Sequence, residues 1–205
     1  MLRVYITTIP LQGFKDLEKN LYRSTENVKE LQTRFPILQV LCNTMQEGDE
    51  AKVIAIRSVN GDTTRNFGYF KEELQALGIS EAQVREMPLP DDQDCHTLIQ
   101  LCRDLCDALP EKARVYTDIT YGTKTIPLVQ LAALSCAEAT HAELEVGGVS
   151  YGEMKRVNGE SINCFILHDV TALYHLQGLV GGIRDQETAE LVYRQLIWMS
   201  ENSEN

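Results

Sequence analysis

The sequence predicts an α/β fold in which a Rossmann-like, mostly parallel sheet carries helices on both faces and is followed by a C-terminal antiparallel β-hairpin and a helical tail. Short apolar runs alternate with longer stretches of helical period, the pattern of parallel strands joined by crossover helices. Near the C-terminal end, two extended runs flank Asn158-Gly159, a dipeptide that favours a tight hairpin turn. A length of 205 residues with 43% hydrophobic content is enough for one good core.

Four buried strands are predicted from apolar, β-branched runs at residues 2–8, 51–57, 83–87 and 113–119. Stretches of helical period lie between and after them, at residues 13–33, 65–77, 94–109 and 126–139. Leu98, Leu101 and Leu105 illustrate the period, since steps of three and four residues mark one face of a helix. Right-handed crossovers are expected to place these helices on the two faces of the sheet.

The pattern changes after the fourth helix. Residues 142–151 and 161–167 are extended runs separated by Asn158-Gly159, which predicts an antiparallel hairpin. The remaining residues contain two helical pieces and a short polar tail. One domain is therefore predicted at residues 1–170, and a helical extension at residues 171–205.

Composition restricts the possible partners. The formal net charge of −11 argues against general DNA binding and against anionic membrane surfaces, so a nucleotide would have to be held by a local group of positive charges. No stretch has the length of a membrane span, and the first residues do not resemble a secretory signal. The six cysteines mostly lie in apolar segments, as buried thiols do, so a cytoplasmic location is expected.

The most informative segment is Thr120-Tyr121-Gly122-Thr123-Lys124-Thr125, between the fourth predicted strand and the helix after it. Unpaired backbone N–H groups and the positive end of the helix dipole attract anions at such a junction. The threonine hydroxyls and the lysine ammonium can point at the same anion. The segment therefore predicts a phosphate-binding loop.

Two other strand ends are also polar, and ligands of open α/β sheets bind outside the carboxyl ends of the strands. Thr7, Thr8 and Gln12 follow the first strand, and the second is followed by a loop that contains Arg57, Ser58, Asn60 and Arg65. Together with Lys124 these residues suit a ligand with phosphates and bases better than a metal ion.

Simpler interpretations stay open for each segment. Gly122-Thr123-Lys124 can be an ordinary turn with a solvated lysine, and the loop at residues 57–66 can be a polar turn that caps the next helix. A Walker A loop is excluded because no glycine stands five residues before the Gly-Lys pair that such a loop requires. A dinucleotide fingerprint is absent as well, so no cofactor is expected.

Signals for metal binding and nuclease chemistry are weaker. Cys102 and Cys106 share a face of an apolar helix, which favours buried thiols over metal ligands. Glu153-Met154-Lys155 is similar to the carboxylate–lysine pair of some metal nucleases, but no partner aspartate is evident. No metal site is predicted.

Asp118-Ile119-Thr120-Tyr121-Gly122-Thr123-Lys124-Thr125, after a fourth Rossmann-type strand and before a helix, resembles the signature of CARF domains, the CRISPR-associated Rossmann-fold sensors of type III immunity. The polar loop after the first strand and the closing hairpin fit the same architecture. The resemblance covers roughly residues 1 to 170.

The resemblance implies a homodimer that binds one cyclic oligoadenylate across its two-fold axis. Thr120, Tyr121, Gly122, Thr123 and Lys124 would line the ring phosphates. Thr7, Thr8 and Gln12 would approach the nucleotides, whereas Arg57, Ser58 and Asn60 are assigned from strand-end geometry alone. Two identical half-sites match a ring with an even number of adenylates, so cyclic tetra- and hexa-adenylate are the candidates.

Three functions stay open. The first is a sensor that controls an effector domain beyond the C-terminus; no arginine–histidine pair with the spacing of a HEPN ribonuclease is present in the chain. The second is a ring nuclease, in which the ribose 2′-hydroxyl attacks its own phosphate without a metal, Lys124 stabilises the charge and Thr123 orients the ring. The third is an unrelated Rossmann-like nucleotide-binding protein.

Overall fold

The structure is a computed structural model that describes residues 1–13, 17–23, 29–58, 61–89, 92–157 and 160–202, with the backbone alone described at 156, 157, 160–164 and 199–202. The described strands are β1 (Leu2–Thr8), β2 (Asn20–Arg23), β3 (Gln32–Thr33), β4 (Glu50–Arg57), β5 (Val84–Pro88), β6 (Ala113–Asp118), β7 (Glu145–Val157) and β8 (Glu160–Asp169). The described helices are α1 (Pro36–Thr44), α2 (Gly61–Ala76), α3 (Cys95–Ala108), α4 (Thr125–Thr140), α5 (Thr171–Gly182) and α6 (Gln186–Asn202), with a short 3-10 helix at Glu81–Gln83.

The described strands form one mixed sheet in the order β3-β2-β8-β7-β6-β1-β4-β5. Its core is the parallel set β7-β6-β1-β4-β5, with β1 at the centre. After β1 the chain adds β4 and β5 on one side, and then returns to add β6 and β7 on the other. A topological switch point therefore lies between β1 and β6, where an open α/β sheet leaves a crevice for ligands.

Helices cover both faces of this sheet, as the sequence predicts. On one face, Tyr5, Val53 and Tyr116 pack in a core cluster with residues of α1 and α2 such as Leu38 and Phe70. On the other face, Gln130 of α4 donates to the Thr117 hydroxyl, 3.2 Å away, and α3 packs against α4. Because helices cover both faces, the side chains on either face of these strands are buried. This explains why the strands are continuous apolar runs and do not alternate apolar with polar residues.

The helix predicted at residues 13–33 is wrong. Part of that stretch is extended: β2 pairs in parallel with β8, and the two-residue β3 pairs with β2. Tyr22 is fully buried and lies against Phe165, with ring centroids 5.3 Å apart. The first described helix begins only after this stretch: it is α1, with Pro36 in its first turn.

Pro36 explains this shift of the helix. Its ring fixes φ at a helical value and its missing N–H costs nothing in a first turn, so a helix readily begins there. The segment before it is held to α2 by the buried Glu73, which accepts from the Thr33 hydroxyl at 2.6 Å and pairs with Arg34 at 2.7 Å. These contacts replace the helical hydrogen bonds that the pattern predicted.

The C-terminal hairpin is present, because β7 and β8 pair antiparallel. β7 begins at Glu145, three residues later than the predicted run, and extends to Val157. The Asn158-Gly159 turn lies outside the described residues. By its internal contacts the chain divides into two compact units, Met1–Val170 and Thr171–Asn205, the second built from α5 and α6. Within the described part of the chain, no helix is both long and apolar enough to cross a bilayer.

Candidate functional site

The loops after β1 and β6 meet at the switch point because the two strands are parallel neighbours. Tyr5 pairs with Tyr116 and Ile6 with Thr117, so both strands end at the same edge of the sheet. The Thr7 hydroxyl donates to the Asp118 carboxylate across this boundary, at 3.3 Å. The Thr120–Thr125 segment therefore begins beside Thr7 and Thr8 at the end of β1.

Asp118 is the buried anchor of this region, with no exposed surface. Its carboxylate accepts from the Thr120 hydroxyl at 2.5 Å, and that hydroxyl accepts from the backbone N–H of Gly152 at 2.7 Å. Burial raises the pKa of Asp118 to about 7, although the hydrogen bonds from Thr120, Thr7 and Ser150 act in the opposite direction. Asp118 and Thr120 thus join β1, the loop after β6 and the hairpin strand β7.

The Tyr121 hydroxyl also contacts other parts of the protein. Its hydroxyl donates to the backbone carbonyl of Arg34 at 3.1 Å and lies 3.4 Å from the Tyr22 hydroxyl. Burial is the main cause that raises the pKa of Tyr121 to about 12. Although both were predicted as ligand contacts, the structure places the Thr120 and Tyr121 hydroxyls on other parts of the fold.

Gly122 lies against the last residue of β1. Its φ is 114°, a conformation that side-chain-bearing residues rarely adopt. A Cβ at this position would lie 3.3 Å from the Thr8 methyl and 3.3 Å from the Ile126 Cβ. The Thr8 hydroxyl is buried beside it and has no hydrogen-bond partner among the described residues. An unpartnered buried hydroxyl next to a glycine loop is the kind of polar group that a site leaves for water or a ligand.

Thr123, Lys124 and Thr125 form the start of α4. The Lys124 side chain is exposed, and no described residue forms an ion pair or hydrogen bond with its ammonium. The first N–H groups of a helix have no acceptor within it, and the helix dipole places positive potential there. Lys124 therefore adds a full positive charge to a helix N-terminus, which is an anion-binding arrangement.

Gln93 is a site residue that sequence reasoning missed. Its side-chain oxygen accepts from the Thr123 hydroxyl at 2.7 Å and from the Thr125 hydroxyl at 2.7 Å. The two hydroxyls are 3.1 Å apart. Gln93 lies in the loop between β5 and α3, which follows another parallel strand and reaches the same edge of the sheet. That position was a signal in the sequence, because every parallel strand sends its following loop to this edge.

The loop after β4 contributes less positive charge than its sequence suggests. Arg57 pairs with Glu86 at 2.6 Å, donates to the Thr64 hydroxyl at 3.3 Å and stacks over the Phe67 ring at 5.1 Å. Arg65 pairs with Asp62 at 2.7 Å. Both predicted cations thus already have acidic partners.

The remaining predicted positions are placed as follows. The carbonyls of Pro10 and Gln12 are held by the side-chain amide of Asn66, at 2.9 and 2.8 Å, which fixes the loop after β1 and leaves the Gln12 side chain exposed. The carbonyl of Ser58 accepts from the Thr63 hydroxyl. Asn60 lies outside the described residues.

The residues singled out as weaker candidates for metal binding have the following surroundings. Among the described residues no group of three or more histidine, cysteine, aspartate or glutamate side chains could hold a metal ion. Cys106 is buried and contacts Cys136, and burial raises the pKa of Cys106 to about 11. Glu153 pairs with His168 at 2.8 Å across the hairpin, where both side chains are partly exposed, and this contact holds the pKa of Glu153 below its usual range.

A scan against protein-family models finds no match to this chain. A search of curated proteins finds no relative either.

Proposed function

We propose that this protein is a dimeric CARF-type sensor that binds cyclic tetra- or hexa-adenylate in type III CRISPR defence and controls an effector. One observation carries the proposal: the eight-residue segment with the CARF-like signature lies at the switch point between β1 and β6, with Lys124 exposed at the start of α4. This is where an open α/β sheet binds its ligand.

The different surroundings of the residues within the Thr120–Thr125 segment support the proposal. The Thr120 and Tyr121 hydroxyls bind other parts of the protein, whereas Gly122 and Lys124 are exposed. A phosphate at this point would meet backbone N–H groups, the helix dipole and one ammonium. These groups provide local positive potential on a chain whose formal net charge is −11.

The surface of α4 supports a dimer. Helix α4 is apolar on nearly all sides, and a helix of this kind is normally covered. Leu128, one turn after Lys124, is 67% exposed. A second copy of the chain packed over this helix would bring its own Lys124 to the same ligand, and a two-fold axis would then relate two half-sites around one ring.

The direct test is to incubate the purified protein with labelled cyclic tetra- and hexa-adenylate in the presence of a chelator. We expect tight binding of one ring without new products. Linear products would instead identify a ring nuclease, with Lys124 as the charge stabiliser and Thr123 as the orienting residue. If neither ring binds, the proposal is wrong.

Lys124→Ala tests the central contact. Loss of a charged hydrogen bond should weaken ring binding by about 1.5–3 kcal/mol per contact, measured by isothermal calorimetry. Lys52→Ala is the matched control, because Lys52 is an exposed lysine on β4 whose ammonium contacts no other described residue. Equal affinities of the two variants would mean that Lys124 is merely solvated.

A further inference from the structure

The amide of Gln93 controls which way two hydroxyl groups of the candidate site can point. A threonine hydroxyl has one hydrogen and two lone pairs. The Thr123 and Thr125 oxygens both lie 2.7 Å from the Gln93 side-chain oxygen and 3.1 Å from each other. In this arrangement the hydroxyl hydrogens are used inside the cluster. Only lone pairs are then left toward the solvent.

That polarity is wrong for an anion. Phosphate oxygens accept hydrogen bonds, so a phosphate beside Thr123 needs the hydroxyl hydrogen and is repelled by its lone pairs. A glutamine side chain can reverse this polarity, since its other end is an NH2 group with two donors. A half-turn of the amide would place the NH2 group against both hydroxyl oxygens and release both hydrogens.

Hydrogen bonds hold Asp94, the described residue that follows Gln93, which favours rotation of the amide over movement of this part of the loop. The next residue, Asp94, caps α3 by accepting from the Thr97 N–H at 2.7 Å. The Asp94 N–H in turn donates to the Asp92 carboxylate at 3.0 Å. Gln93 itself is half-buried, so its amide stays beside the two hydroxyls while its end groups can exchange places.

We propose that Gln93 is a positioning residue of the anion site, whose side-chain carbonyl faces Thr123 and Thr125 in the empty protein and whose NH2 group faces them when a phosphate-bearing ligand binds. This inference rests on the proposed function insofar as it assigns Thr123 to the ligand side. It adds a residue from a loop outside the CARF-like segment. It also predicts that an acceptor-only side chain at position 93 blocks binding.

Two substitutions separate this role from a purely structural one. Gln93→Glu keeps the shape but can only accept, so it should hold the hydroxyl hydrogens and lower ring affinity by about tenfold or more. Gln93→Met keeps the length without hydrogen bonds and frees the hydroxyls, so its affinity should stay within about threefold of the unaltered protein. Cys95→Glu, at an exposed and neutral position two residues from Gln93, controls for a negative charge added close to the site.

Thermal unfolding of all three variants is recorded first, so that affinities are compared between folded proteins. The inference is overturned if Gln93→Glu loses no more affinity than Cys95→Glu, because the loss would then be simple charge repulsion. It is equally overturned if Gln93→Met loses as much affinity as Gln93→Glu, because the amide would then be a plain contact or a support.

A second measurement does not depend on the ring. The Gln93 side-chain amide signals in a 15N–1H spectrum, assigned by their loss in Gln93→Met, should shift when inorganic pyrophosphate is added. A shift without binding of either ring would refute the cyclic oligoadenylate proposal and retain the role of Gln93. Ring binding with unchanged Gln93 signals would refute the role of Gln93 and leave the function intact.

Discussion

Neighbouring residues of the Thr120–Thr125 segment have different tasks. Thr120 and Tyr121 bind Asp118, Gly152 and the Arg34 carbonyl, so they determine where the loop lies. Gly122 and Lys124 are exposed, and in the proposed function they are the residues that meet the ligand. A substitution of Thr120 or Tyr121 should therefore mainly alter stability, and one of Lys124 should mainly alter affinity.

Gly122→Ala is expected to destabilise the loop and weaken ligand binding. A non-glycine residue at positive φ costs about 1–2 kcal/mol, and the new methyl group would also press on Thr8 and Ile126. Chemical denaturation measures the stability loss, and ring binding measures the functional loss.

Two other glycines provide controls for this substitution. Gly78→Ala isolates the cost of positive φ, because its φ is 83° and a Cβ there meets nothing within 4 Å. Gly68→Ala, in α2, should be neutral or stabilising, since alanine is the better helix former. If Gly122→Ala were no more destabilising than Gly78→Ala, the close approach to Thr8 would be unimportant.

Asp118→Asn should remove a pH dependence of stability. The folded protein holds a proton on Asp118 up to about pH 7, whereas the unfolded chain releases it near pH 4. The folded state therefore binds more protons in this window, and the stability from Asp118 is full below about pH 4 and is lost as the pH rises through about 7. The loss between about pH 5 and 8 amounts to about 2–3 kcal/mol.

Urea denaturation at several pH values measures this difference between the two proteins. Asparagine can still accept from Thr120, so the variant should fold and show a flatter profile. Identical profiles for both proteins would contradict the raised pKa of Asp118.

At the scale of elements, the central strands could be predicted because their apolar runs have one compatible structure. β1, β4 and β6 are buried on both faces, and α2 and α3 keep the helical period. The helix prediction at residues 13–33 was wrong because the spacing of the leucines there fits both the helical period and the period of a strand. The extended structure of this stretch depends on long-range contacts. Tyr22 pairs with Phe165 of β8, and the Thr33 hydroxyl donates to the Glu73 carboxylate of α2.

The candidate site could be predicted only in part for a similar reason. The Thr120–Thr125 segment is contiguous, and its position after a strand marks it as a candidate in the sequence. Gln93 acts from a different loop, and its contact with Thr123 depends on the strand order. The engagement of Arg57 by Glu86 also joins two strands, β4 and β5. Sequence spacing alone contains neither contact.

Helix α4 gives a prediction about assembly. Leu128→Glu should shift the protein toward the monomer, because a carboxylate on the apolar face would be buried in the proposed dimer. Analytical ultracentrifugation over a range of concentrations measures the shift. Leu21→Glu, at a 40% exposed leucine of β2, is the control and should leave the dimer intact. A monomeric unaltered protein would contradict the dimer itself.

At the scale of the whole molecule, the two compact units differ in whether each is large enough to fold by itself. The second comprises the last 35 residues, below the size of about 40 residues at which a domain usually folds unaided. The first contains the described sheet and the candidate site. A chain ending at Val170 should therefore unfold cooperatively and retain ring affinity within about threefold, whereas residues 171–205 alone should lack stable helix.

Circular dichroism and calorimetry of the two fragments check this expectation. A first fragment that does not unfold cooperatively would show that the sheet needs the last two helices. In that case the boundary at residue 170 would not be a domain boundary.

The central place of β1 has a consequence for biosynthesis. β1 is made first, yet its neighbour β6 is made last but two among the described strands, and Thr7 meets Asp118 across 111 residues of sequence. One edge of β1 therefore stays unpaired until β6, which ends at residue 118, has left the ribosome. Such an edge invites pairing with other chains, and closing so long a loop is slow. The crevice between the ends of β1 and β6 is thus completed late in folding, and slow translation before residue 113 would prolong the period in which the nascent chain can aggregate.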